Sequence, residues 1–92
     1  MTQEDLDAAV EKVREAAEHA HEDRPAEELG KIADDLQELA SSHDSPDEKR
    51  IRGHHYTLRE LHGELNEDAR VHLEDAIGHV ESVKDKVGIG GS

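Results

Sequence analysis

The chain has 92 residues, with 24 Asp and Glu against 11 Lys and Arg, and a formal net charge of −13 with histidine neutral. A field of that sign repels polyanions and excludes nucleic acid as a general partner, while the absence of cysteine excludes disulfides, thiolate metal sites and cysteine nucleophiles. There is no Phe, no Trp and one Tyr, so a single small domain has to rest on many small aliphatic contacts, and a second copy covering apolar surface would help it.

Acidic excess on this scale is compatible with disorder, but here the acids alternate with regularly spaced aliphatics instead of lying in blocks. The pattern predicts a folded acidic surface. At molar salt the Debye length falls to about 3 Å and self-repulsion is largely screened, so the composition reads as that of a protein built for high salt.

Thr2 stands where it can cap a first helix, with Glu4 and Asp5 favourable at the positive helix end. Leu6, Ala9, Val10, Val13, Ala16, Ala17 and Ala20 then recur at three- and four-residue intervals. This spacing predicts a helix ending near Glu22, with Asp23, Arg24 and Pro25 as the break. Leu29, Ile32, Ala33, Leu36, Leu39 and Ala40 make a second stripe, followed by a loop at Ser41, Ser42, His43 and Asp44.

Ser45, Pro46, Asp47 and Glu48 give a start signal, with Ser as N-cap, Pro at the first position and Glu at the third. Ile51, Leu58, Leu61 and Leu65 supply the third stripe. Asn66 is placed to cap a fourth helix carrying Ala69, Leu73, Ala76, Ile77, Val80, Val83 and Val87, and Gly88 to Ser92 reads as a flexible tail. A heptad-like register also runs from Leu58 through Leu65, Ala69 and Ala76 to Val83, so one helix of about 40 residues competes with two. Gly63 and Asn66 weaken a helix interior and favour the hairpin.

Short connections make successive helices antiparallel neighbours. The predicted architecture is an all-α, up-down four-helix bundle of two hairpins, with residues 1–87 as one domain and 88–92 as tail. An ideal register sets Val10 against Leu39, Val13 against Leu36 and Ala17 against Ile32, with Leu6 level with His43. In the second hairpin it sets Ile51 against Val83, Leu58 against Ala76 and Leu65 against Ala69.

The spacing of Leu29 to Ala40, the Ser45–Asp47 loop, the stretch His55–Leu61 ending Leu-Arg-Glu-Leu, and Asp68-Ala69-Arg70 leading into Leu73-Glu74-Asp75-Ala76 resemble a family of small acidic proteins from halophilic archaea, classed as a domain of unknown function. The resemblance implies a cytoplasmic helical protein and carries no activity or site residue to transfer.

Eight histidines are the chemical oddity of the chain. On a helical wheel His55 and His62 fall within about 20° of one another beside the Ile51–Leu58 line. His72 and His79 repeat the two-turn spacing on the fourth helix, with Asp75 nearby. The ideal register sets His55 against His79 and His62 against His72. Facing imidazoles with a carboxylate suit Zn²⁺, Ni²⁺ or Cu²⁺, although no His-x-x-x-His occurs on either helix. The plainer reading has them at the edge of the seam, stems on aliphatics and nitrogens in water; a pH-sensitive pair is the third. His19, His21 and His43 fall near loops and read as solvated.

Lys49, Arg50, Arg52, His54, His55 and Arg59 form the basic cluster, at a helix start that disfavours cations. Either it meets an acidic partner or it pairs with acids of neighbouring helices such as Asp34, Asp35 and Glu38. Carboxylates are too many for a catalytic pair to be singled out, no nucleophile context surrounds the serines, and Gly88–Ser92 lacks the lysine and helix of a phosphate loop. No apolar run in the first 30 residues matches a signal peptide or a membrane span. The expectation is a cytoplasmic, non-enzymatic interaction module without cofactor, a homodimer joined through the aliphatic seam or through the face of Tyr56, Arg50, Arg52 and Arg59. The alternative is a metal-binding protein using His55, His62, His72 and His79.

Overall fold

The computed structural model describes residues 2–41 and 48–90, with side chains over 4–41 and 48–85. Four helices account for nearly all of them: α1 Thr2–His19, α2 Asp23–Ser41, α3 Glu48–His62 and α4 Glu67–Gly90. They form the expected up-down-up-down bundle, 40 × 20 × 18 Å. Among the described residues α1 lies against α2 and α4, α3 lies against α4, and the α2–α3 side is the least extensive of the four. No helix among them is long and apolar enough to cross a membrane.

The core follows the four aliphatic stripes. Among the described residues every apolar position they name is buried or half-buried, with Leu6, Val13, Leu29, Leu36, Ile51, Leu58, Leu73, Val80 and Val83 almost fully enclosed. Ala9, Ala16, Ala33, Ala40, Ala69 and Ala76 are buried too, which lets the helix axes approach more closely than bulkier side chains would. This closure corrects one premise: the seam is covered within a single chain, and among the described residues the large hydrophobics left exposed are Tyr56 and Val71.

Helix ends depart from the sequence reading in three places. α1 stops at His19, and the connection is 20–22, so Asp23, Arg24 and Pro25 open α2 instead of separating the helices. Proline is accepted there because a first-turn N–H has no intrahelical partner to lose. Thr2 is the first residue of α1. α4 runs to Gly90, past Val87, since three terminal residues cost little when preceding turns are already built. The start signal at Ser45–Asp47 and the Leu6–His43 pairing lie outside the described residues.

Residues 63–66 separate α3 from α4 and exclude the single long helix. The last turn of α3 tightens through i→i+3 bonds, Gly63 N–H to the Glu60 carbonyl at 3.2 Å and Glu64 N–H to the Leu61 carbonyl at 2.8 Å. Arg70, from the first turn of α4, donates through Nε to the His62 carbonyl at 3.0 Å and through Nη2 to the Gly63 carbonyl at 3.3 Å. It thereby satisfies acceptors that the end of α3 leaves open.

Asn66 does something other than the expected cap. Its backbone carbonyl accepts the Arg70 N–H at 3.0 Å, as an N-cap residue's should. Its side chain instead reaches the other hairpin: Nδ2 donates to the His19 carbonyl and Oδ1 accepts the His21 N–H, each at 3.0 Å. One amide thus ties the α1–α2 connection to the α3–α4 connection, and the Arg24–Glu64 pair closes the same end. Replacing Asn66 by Ala should lower stability by roughly 1–2 kcal/mol, since both backbone groups lose a partner. Asn66→Asp, which keeps an acceptor and loses the donor, should also be destabilised. Urea unfolding checks both, and parental stability in either would mean the hairpins hold together without this clamp.

Candidate functional site

Close packing of slender helices sets the edge residues of one helix against those of the next, and most histidines sit on those edges. His54 of α3 pairs with Asp35 of α2, which Arg50 also contacts. His55 Nε2 lies 3.1 Å from Glu81 Oε1 and His62 Nε2 lies 3.2 Å from Glu74 Oε1, both across α3–α4. His72 Nδ1 is 3.0 Å from Glu15 Oε2 and His79 Nδ1 is 3.9 Å from Asp5 Oδ1, both across α4–α1. The rings of His19 and His72 stack with centroids 4.6 Å apart. The α1–α2 interface has an arginine instead: Arg14 donates to Asp34 at 3.1 Å and to Gln37 at 2.6 Å.

This arrangement corrects the expected histidine layers. His55 and His62 do not pair with His79 and His72; each reaches the carboxylate two residues further along α4. Two residues turn an α-helix by about 200°, so Glu74 and Glu81 look toward α3 while His72 and His79 look toward α1. The expected layers took the wrong flank of α4 to face α3. Asp75 is exposed and joins neither set. Among the described residues no three His, Asp or Glu side chains converge as metal ligands do. The four histidines named for a metal are divided between two interfaces. A signal for the true partners existed: Glu74 and Glu81 repeat at seven residues, the same interval as His55 and His62.

The basic cluster is largely absorbed by acids. Arg50 and His54 share Asp35, Arg52 Nη2 lies 2.8 Å from Glu48 Oε1 one turn back, and His55, 7% exposed, is enclosed beside Glu81. Burial raises the Asp35 carboxyl, but the hydrogen bond and charge of His54, with those of Arg50, outweigh it and hold the group below the usual carboxylate value. Asp34, expected as a partner of this cluster, is taken by Arg14 of α1.

Two features remain on the outside of α3. Tyr56 is 67% exposed, and a hydrogen bond to Glu60, reinforced by that carboxylate's charge, keeps its hydroxyl above the ordinary phenol value. Beside it a groove of about 440 Å³ runs between α3 and α4, lined by Arg59, His62, Glu74, Ile77, Gly78 and Glu81. It is open and charged, without the enclosed apolar walls of a small-molecule pocket. A second hollow, of about 300 Å³, lies at the clamped end; its lining includes His21, Pro25, Glu64 and Arg70, and several of its polar groups are engaged in the contacts of the turns.

Fold and surface together define an acidic all-α bundle edged with interhelical histidine–carboxylate pairs. The chain belongs to DUF7553, a family of unknown function whose model matches residues 1–86. No curated protein and no solved structure matches it.

The depressed Asp35 carboxyl has a signed consequence. Its pairing contributes stability above the unfolded value of about 3.9, and this is lost as pH falls through the lower folded value. Asp35→Asn should therefore cost roughly 1 kcal/mol at neutral pH, and the gap from the parent should close as pH drops below about 4. Chemical denaturation at several pH values reads this, and a gap that widened on acidification would reverse the assignment.

Proposed function

We propose that this chain is a non-enzymatic helical interaction module, adapted to high salt, that self-associates through the outer face of α3. The carrying observation is the exposure of Tyr56, 67% accessible, on a bundle whose aliphatic residues are otherwise almost wholly enclosed. Tyrosine and arginine are the residues most favoured in binding hot spots. Arg52 and Arg59 stand four residues before and three after Tyr56, on the same helix face. Arg50, also expected at the interface, pairs with Asp35 of α2 while its side chain stays 44% exposed.

High salt enters through the charge balance. The described ion pairs use only part of the 24 carboxylates, and the net charge of −13 leaves a repulsive field that counterions screen. Circular dichroism should show the melting temperature rising by several degrees between about 0.1 M and about 2 M KCl. A flat response would mean the local pairs already neutralise the field.

Sedimentation equilibrium at micromolar concentration in molar KCl should give two chains per particle. Tyr56→Ala should raise the dissociation constant about thirtyfold or more while changing the melting curve of the dilute chain little, because the side chain is 67% exposed. A parent that stays monomeric removes the self-association reading.

A further inference from the structure

The α3–α4 groove is built as a ladder with its middle rung unfilled. His55 with Glu81 and His62 with Glu74 form the outer rungs at 3.1 and 3.2 Å. Arg59 lies four residues after His55 and three before His62; Gly78 lies four after Glu74 and three before Glu81. On antiparallel helices these two fall level with each other, midway between the rungs. Of the six arginines, Arg59 alone has no hydrogen bond or ion pair among the described residues. Opposite it, a Cβ on Gly78 would meet nothing within 4 Å. No packing among the described residues calls for glycine at that mid-helix position, where it costs about 1 kcal/mol relative to Ala.

Each wall of the groove complements the other in charge. α3 presents Arg59 and His62, with the enclosed His55 behind them; α4 presents Glu81, the open Gly78 notch, and Glu74, with the two carboxylate side chains 51% and 64% exposed. A two-fold axis parallel to the helices would lay α3 of one copy over α4 of the other at the same heights. The interface would then be isologous, as closed homodimers require.

We propose that the α3–α4 groove is the dimer interface, with Arg59 of each copy seated in the other copy's Gly78 notch between the partner's Glu74 and Glu81. This rests on the self-association proposed above and names its geometry. A guanidinium held between two carboxylates makes short, charge-assisted hydrogen bonds that molar salt screens less than long-range fields. Tyr56, adjacent to Arg59 on α3, lies at the rim of such a contact.

Three variants test it by sedimentation equilibrium in molar KCl, with circular dichroism confirming the fold. Gly78→Gln fills the notch with a better helix former, so the dimer should be lost while the melting temperature of the dilute chain stays level or rises. Arg59→Glu and, separately, Glu74→Lys with Glu81→Lys should each weaken the dimer by about thirtyfold or more. Mixing those two charge-reversed chains should restore a dimer, now a heterodimer with opposite charges at both notches. If the parent dimerises, Tyr56→Ala weakens it and all three variants leave it intact, the groove assignment is wrong and the α3 face stands. A parent that is monomeric at about 100 μM removes both.

Discussion

The constraint on which the structure depends is that nothing larger than leucine fills its core. Burial of Leu, Ile, Val and Ala stabilises each contact modestly, at about 25 cal/mol per Å², so the bundle relies on enclosing nearly all of its aliphatic surface. Buried alanines on every helix but α3 let the backbones come close. That closeness carries side chains on the helix edges to within hydrogen-bonding distance across all four interfaces, and at three of them the partners are a histidine and a carboxylate.

Histidine suits such an edge. Its ring covers aliphatic surface while a nitrogen reaches the rim, where a carboxylate of the next helix waits. Lysine or arginine at the same positions would bring a permanent charge against the core; imidazole brings one only when protonated. His55 is the extreme case, nearly enclosed beside Glu81. Five histidines, His54, His55, His62, His72 and His79, therefore join helices through carboxylates beside the arginines Arg14, Arg24, Arg50 and Arg70.

The two hairpins are joined by a different device. Asn66 sits between α3 and α4 yet bonds the backbone of His19, at the end of α1, and of His21, within the α1–α2 connection. A single amide supplies both a donor and an acceptor, which is what two backbone groups of opposite sense require. Arg70 closes the end of α3 from below, so that end of the bundle is ordered by side chains from the start of α4. The outer face of α3 carries the exposed Tyr56, an arginine without a partner among the described residues, and one wall of the groove that Gly78 lines.

The amino-acid sequence by itself determined the helices, their up-down order and the members of the core, because 3.6-residue periodicity and a lack of aromatics leave one economical way to bury the aliphatics. It also pointed to Gly63 and Asn66 as the break between α3 and α4. Only the tertiary structure decided who meets whom at the edges. His72 and His79 flank the buried stripe of α4 on the α1 side and Glu74 and Glu81 flank it on the α3 side; the hydrophobic pattern is the same whichever helix lies on which side, so it does not say which flank meets which neighbour. The reach of Asn66 across to His19 and His21 was equally hidden, since a residue's cap chemistry is local while its free side chain is directed by whatever the fold brings beside it.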